Sequence, residues 1–237
     1  MAPSTSGLTR PRLEQALPEA RLDVTATWYS PAMIDGLSRS LLASVPLMLI
    51  ASVVVVTLLG WLIKPLQRAM TLIPYQVRES FQIYRLLTAG WFHKDLTHLV
   101  FNMISLYFFA EPAMRVLGPT RFLALYVSAV VVAFVPSTLR YMTTPNYASL
   151  GASGAVTAVM FSAILLNPKM TLQLMFIPVP IPGLVFAVGY LVYSMWHSYS
   201  AGDGVNHDAH LSGALYGVLI TYAFEPTLVE RALKALF

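Results

Sequence analysis

LLASVPLMLIASVVVVTLLGWLI, residues 41–63, runs 23 positions without a charged side chain. Roughly 20 apolar residues of helix cross the hydrocarbon core of a bilayer, whereas the apolar part of a signal peptide spans only about 7–15. The stretch predicts an uncleaved first transmembrane helix. The whole chain agrees with it. Of 237 residues, 57% are hydrophobic and 11% charged, and the mean hydropathy is +0.65. Soluble domains carry about 25% charged residues. Length alone would allow one domain or two. A net charge of +4, with no basic run, gives no reason to expect a nucleic-acid partner. With no cysteine, disulfides, thiolate catalysis and cysteine metal sites are excluded.

Upstream, residues 1–40 carry charges such as Arg10, Glu14, Arg21 and Asp35 together with Pro3, Pro11 and Pro18, the composition of a flexible polar tail. Downstream, Lys64 to Lys94 mixes apolar, aromatic and basic residues. It is too charged to cross and has the character of an interfacial connection. Five further apolar segments follow, at Asp95–Arg115, Thr120–Met142, Ser149–Asn167, Pro180–Ser200 and Asp208–Phe224. Gly118-Pro119, Thr144-Pro145, Asn167-Pro168 and residues 201–204 separate them. The expectation is an all-α membrane protein: a six-transmembrane-helix bundle over residues 41–226, with a short C-terminal tail at 227–237. The prolines of the 176–183 segment, Pro178, Pro180 and Pro182, are expected to distort the entry to the fifth span. With the N-terminus in the cytoplasm, nine Lys and Arg fall on that side and six on the other, which the positive-inside rule favours narrowly.

Three spans hold polar groups inside apolar sequence, where such groups are costly and mark function or internal hydrogen bonding. His98 and Asn102 stand four apart, on one helix face. Ser153 opens the fourth span within Gly151-Ala152-Ser153-Gly154. His210 begins the sixth, ahead of Gly213 and Gly217. Each alone has a plain packing explanation, such as a small-residue contact face. Together they hold the parts of an acyl-transfer site. A serine hydroxyl needs a base as it attacks, and histidine is the usual one. The tetrahedral oxyanion needs donors, which Asn102, His98 and the Ser153 backbone N–H can supply, aided by a helix N-terminus at Ser153. Asp208, two residues before His210, points elsewhere on a helix, so a Ser–His dyad is the simpler arrangement. His197 and His207 are expected to face solvent or lie in a loop. The histidines could group around a metal, but no H-E-x-x-H occurs.

His98-x-x-x-Asn102 preceded by His93, Gly151-Ala152-Ser153-Gly154, and Ala209-His210-x-x-Gly213-x-x-x-Gly217 resemble the motifs of the rhomboid intramembrane serine proteases. Glu111, Arg115 and Gly118 follow the same pattern, and the likeness covers residues 81–224. It implies Ser153 as nucleophile, His210 as general base and acid, and His98, Asn102 and the Ser153 N–H as oxyanion hole. Gly151 and Gly154 shape the site, and Gly213 and Gly217 bring the sixth helix against the fourth. It also implies cleavage of transmembrane protein substrates in a cavity open to the outer face, without metal or cofactor. The protein is accordingly expected to be multi-pass in a bacterial cytoplasmic membrane. The alternative is a non-proteolytic rhomboid-like protein that binds transmembrane clients. Two positions depart from the family. Tyr84-Arg85 stands where many members have Trp-Arg. Thr157 stands where some have a tyrosine that packs on the catalytic histidine, which calls for an aromatic from another helix, such as Trp196 or Tyr216.

Overall fold

The computed structural model describes residues 31–173, 179–199 and 205–234. Residues 38–237 form one unit and 1–37 another; the description below concerns the first. Nine α-helices occur among the described residues: α1 Pro31–Leu62, α2 Lys64–Met70, α3 Pro74–Ser80, α4 Arg85–Thr88, α5 Leu96–Tyr141, α6 Ser153–Leu166, α7 Gly183–Tyr199, α8 His207–Phe224 and α9 Pro226–Lys234. Two strand fragments, β1 Thr171–Leu172 and β2 Ile181–Pro182, pair antiparallel just before α7. Pro182 thus ends a strand fragment at the entry to the fifth span, immediately before α7, and Pro178 lies outside the described residues. The polar tail read over residues 1–40 lies mostly outside them too, although α1 starts at Pro31 rather than at Leu41.

Val45–Leu62 and Leu96–Tyr141 are long and apolar enough to cross a membrane. The second is two helices joined end to end, because Gly118 adopts φ 74° and ψ 165°, a left-handed conformation that glycine tolerates. Pro119 next to it begins the second limb with a fixed φ. The connection read as interfacial is α2, α3, α4 and a 3-10 turn at Ala89–Trp91. Arg85 staples it. Its buried guanidinium donates to the carbonyls of Arg68 at 2.9 Å and Thr71 at 2.5 Å, and to Gln82 Oε1 at 2.6 Å. Two tryptophans tie the connection to α1: Trp61 Nε1 donates to the His93 carbonyl at 2.7 Å, and Trp91 Nε1 to Ser52 Oγ at 3.2 Å.

At the centre lies α6, 14 residues long with Gly154 through Ile164 all buried. It is about 21 Å in length, too short to cross a hydrocarbon core by itself, and it is enclosed by α5 and α8. The helix starts at Ser153, later than the apolar run at Ser149. Ser149 is instead paired with Leu72 through two 3.0 Å backbone hydrogen bonds, and Gly151 sits at φ 130°. Neither position can continue a helix. Outward, the bundle shows large apolar side chains, among them Phe101, Phe108, Leu139, Val188 and Leu219, while Thr57, Ser137, Ser162 and Thr221 are buried. Polar groups inside and apolar groups outside is the arrangement that a lipid solvent demands.

The α6–α8 contact is backbone against backbone. A methyl group added at Gly213 would stand 2.1 Å from the Gly154 carbonyl oxygen, and one at Gly217 would stand 2.3 Å from that of Ala158. One turn further on, Thr221 Oγ1 donates to Ser162 Oγ at 2.7 Å in a fully buried interhelical bond. Only glycine permits this approach, so Gly217→Ala must part the helices. The expected cost is about 1–3 kcal/mol, as for other overpacked contacts, read as a lower thermal midpoint in micelles; an unchanged midpoint would contradict the packing described.

Candidate active site

Ser153, His98, Asn102 and His210 line one cavity of about 850 Å³. Three helices bring them there. Ser153 is the first residue of α6, so its backbone N–H belongs to the unpaired first turn. His98 and Asn102 lie in the first limb of α5, whose start is capped by Asp95, the carboxylate accepting from the His98 N–H at 2.8 Å. His210 lies in the first turn of α8, capped by Asn206, whose Oδ1 accepts from the Ala209 N–H at 3.0 Å.

The loop before Ser153 is held from several sides. Gly151 N–H donates to the Ala89 carbonyl at 3.0 Å. A side chain at Gly151 would run into His98, 2.6 Å from Cε1 and 2.9 Å from Nε2. Glycine is therefore needed twice there, for its φ and for the imidazole edge that lies against it. Gly154 is equally tight, its added methyl 2.5 Å from the Ala133 side chain. On the far side, the Asn206 amide donates to Ser149 Oγ at 3.0 Å and Ser137 Oγ at 3.1 Å. One asparagine thereby caps α8 and pins it to the loop that leads into α6.

His93 is the support that the sequence reading passed over. It is wholly buried, and its Nε2 accepts from the Ala152 N–H at 3.3 Å. Its Nδ1 lies 3.1 Å from Thr57 Oγ1, which donates onward to the Trp91 carbonyl at 3.0 Å. That chain requires a proton on Nδ1 and none on Nε2, the neutral ring. The His93 ring meets His98 edge-on at 4.8 Å between centroids. His93 thus supports both the loop before Ser153 and the histidine opposite it. Burial pushes its pKa from 6.5 down to about 3, the neighbouring His98 adding to the fall and Asp95 opposing it.

Across the cavity, Asn102 Nδ2 donates to the His98 carbonyl at 2.8 Å, which occupies one of its two amide hydrogens. His98 Nδ1 is buried without a hydrogen-bond partner among the described residues. His210 is stacked by Tyr190 of α7, with centroids 6.1 Å apart and planes at 28°. This corrects the expectation that Trp196 or Tyr216 would serve: Trp196 is 72% exposed, and the Tyr216 hydroxyl donates to Ser128 Oγ at 2.8 Å. His207 is also corrected. It is buried at the start of α8, its ring 5.7 Å from that of His210 and 5.3 Å from that of His197. Asp208 turns away from His210 to Arg140 of α5, at 3.0 and 3.1 Å, and also accepts from Ser198 Oγ of α7.

The rhomboid domain matches residues 80–226, more than half of the chain. The chain belongs to the rhomboid family. It is 32% identical over 151 residues to RHOMBOID-like protein 12, mitochondrial, of Arabidopsis thaliana, covering 57% of this chain and 45% of that one. To the human Presenilin-associated rhomboid-like protein, mitochondrial, it is 31% identical over 147 residues, 59% and 38% of the two chains. Over 74 residues it is 38% identical to "Putative rhomboid protease YdcA" of Bacillus subtilis (strain 168), 31% and 36% of the two. The chain thus spans less than half the length of each of these relatives. Family membership makes it a membrane protein, in keeping with its apolar exterior.

The neutral, buried His93 has a consequence for acid stability. Below pH 6.5 the unfolded chain takes up a proton there that the folded protein refuses until about pH 3. Stability present above pH 6.5 is therefore lost as pH falls through that window, by up to about 1.4 kcal/mol per pH unit from this group. Thermal midpoints measured between pH 7 and pH 5 are expected to fall more steeply for wild type than for His93→Gln. Equal slopes would show that His93 does not titrate differently on folding.

Proposed function

We propose that this rhomboid is an intramembrane serine endopeptidase that cuts transmembrane protein substrates in or near their membrane-spanning segments. The observation that carries the reading is the shared cavity, which is lined by a serine at a helix N-terminus, a histidine on a second helix and an amide and imidazole on a third. The Bacillus relative carries the name "Putative rhomboid protease YdcA", and the mitochondrial relatives are named rhomboid-like.

In this reading Ser153 Oγ attacks the scissile carbonyl carbon as His210 takes the hydroxyl proton. The carbonyl oxygen gains the negative charge and is met by the Ser153 backbone N–H, the free hydrogen of the Asn102 amide and the His98 ring. His210 then gives its proton to the departing amine, the C–N bond breaks and an acyl-serine remains. Water entering from the cavity attacks that ester while His210 accepts its proton, and the proton returned to Ser153 completes the cycle. No step calls for a metal or cofactor.

The surrounding architecture is proposed as six spans: α1, the two limbs of α5, α6, α7 and α8, within residues 41–226 and with the N-terminus cytoplasmic. Residues 1–40 and 227–237 are proposed as tails outside that domain. Because α6 is shorter than the hydrocarbon core is thick, a serine at its first residue lies below the membrane surface, and the cavity is the route by which water reaches it. The relatives' names divide between mitochondrial proteins and one from Bacillus; they carry membrane residence and lend no support to a bacterial cytoplasmic location.

The test is covalent labelling of the purified protein by a fluorophosphonate, with cleavage of a transmembrane substrate measured alongside. Wild type is expected to label and cleave, and Ser153→Ala and His210→Ala to do neither while keeping their circular dichroism. Asn102→Ala is expected to lose roughly 10²–10³-fold in cleavage rate, the usual cost of one oxyanion donor. A folded wild type that neither labels nor cleaves would favour the client-binding alternative.

A further inference from the structure

A histidine acting as base must keep its ring in one orientation, and an imidazole facing a water-filled cavity needs a neighbour to hold it. Thr157, one turn after Ser153 on α6, is buried and too small to stack on a ring. Its hydroxyl lies 2.9 Å from that of Tyr190 on α7. The same tyrosine ring stacks on His210 of α8 at 6.1 Å, inside the range of offset aromatic pairs. Phe186 and Phe161 flank Tyr190, each with its ring centroid 6.1 Å away. Tyr190 is therefore held at its hydroxyl by the helix that carries the serine and stacked, offset, on the histidine of another.

We propose that Tyr190 positions His210, and that alignment of the base depends on α7 being docked on α6 and α8. The proposal rests on the serine-protease reading above. The exposure of α7 is what gives it content. On one side its Leu184, Phe186, Ala187 and Tyr190 share an apolar cluster with Met160, Phe161 and Ile164 of α6 and Ala214 and Val218 of α8. On the other, Val185, Val188, Val192 and Trp196 are 57–72% exposed. A methyl group added at Gly189, beside Tyr190, would meet nothing within 4 Å. A helix packed along one side only, and carrying the aromatic that holds the base, makes its own docking a condition of catalysis. Were the aromatic at position 157, on the enclosed α6, alignment of the base would not depend on α7.

The experiment measures kcat and KM for a transmembrane substrate, and the fluorophosphonate labelling rate, in wild type, Ser153→Ala, Tyr190→Phe, Tyr190→Leu, Tyr190→Met, Thr157→Val and the double variant Thr157→Tyr/Tyr190→Leu. Tyr190→Leu is expected to lose roughly 10²-fold in kcat and in labelling rate, the scale of a misplaced catalytic group, with KM unchanged. Tyr190→Phe keeps the stack and loses one neutral hydrogen bond, so it is expected to stay within about tenfold of wild type. The double variant returns an aromatic from α6 and is expected to recover most of the loss. Thr157→Val loses the same hydrogen bond and is expected to match Tyr190→Phe. Should Tyr190→Leu not fold, Tyr190→Met decides, with a lower kcat at unchanged KM supporting the proposal and a wild-type kcat overturning it. A wild-type kcat in Tyr190→Leu, equal losses in the Phe and Leu variants, or no recovery in the double variant would overturn it, with the protease reading intact. An inactive, unlabelled wild type would overturn both.

Discussion

The contact on which the site depends is the backbone approach between α6 and α8. The carbonyls of Gly154 and Ala158 face Gly213 and Gly217 at distances that leave no room for a single methyl group. Lipid tails are as apolar as the side chains they surround, so helices in a membrane gain little from burying leucine; close packing and interhelical hydrogen bonds take that part. The two glycines on α8 and the Ser162–Thr221 bond one turn beyond supply both. Since Ser153 begins α6 and His210 lies in the first turn of α8, the register that fits glycine to carbonyl also sets the two ends side by side.

Around that pair the molecule is polarised inside out. The apolar exterior suits lipid, and the interior gathers groups that lipid would reject, His93, Thr57, Asn102 and Ser137, with Asn206 half-buried beside them. Most of these serve the loop from Ser149 to Ala152. Leu72 pairs with Ser149, Ala89 accepts from Gly151, His93 accepts from Ala152, and Asn206 reaches Ser149 from α8. The buried end of this loop, Gly151 and Ala152, must have its backbone groups satisfied, and here the satisfying groups come from the connection between α1 and α5. That explains why a segment too polar to cross is folded so closely against the bundle.

Much of this was legible in the chain. The uncharged run at 41–63, the spacing of His98 and Asn102, and the glycines after His210 follow from helix periodicity, and they pointed to the residues that line the cavity. What escaped were contacts between residues far apart in sequence. The apolar segment at Ser149 begins four residues before α6, because hydropathy cannot register a φ of 130° at Gly151. His93 stands five residues before His98, not on its helix face, so periodicity gives it no role. His207 reads as a solvent-facing or loop residue because it directly follows the polar, glycine-containing stretch at 201–206. Tyr190 lay hidden among apolar and aromatic residues of α7. Its one sequence signal is indirect: a threonine at position 157, where some rhomboids have the tyrosine that packs on the histidine.

The central claim is that Ser153 is a nucleophile facing an oxyanion site built by His98, Asn102 and its own N–H. It is tested most directly by an experimental structure of the fluorophosphonate adduct. The account predicts phosphorus bonded to Ser153 Oγ, with the phosphoryl oxygen within hydrogen-bond distance of the Ser153 N–H and Asn102 Nδ2 and directed toward the His98 ring. Phosphorus on any other residue, or a phosphoryl oxygen turned away from all three donors, would contradict it.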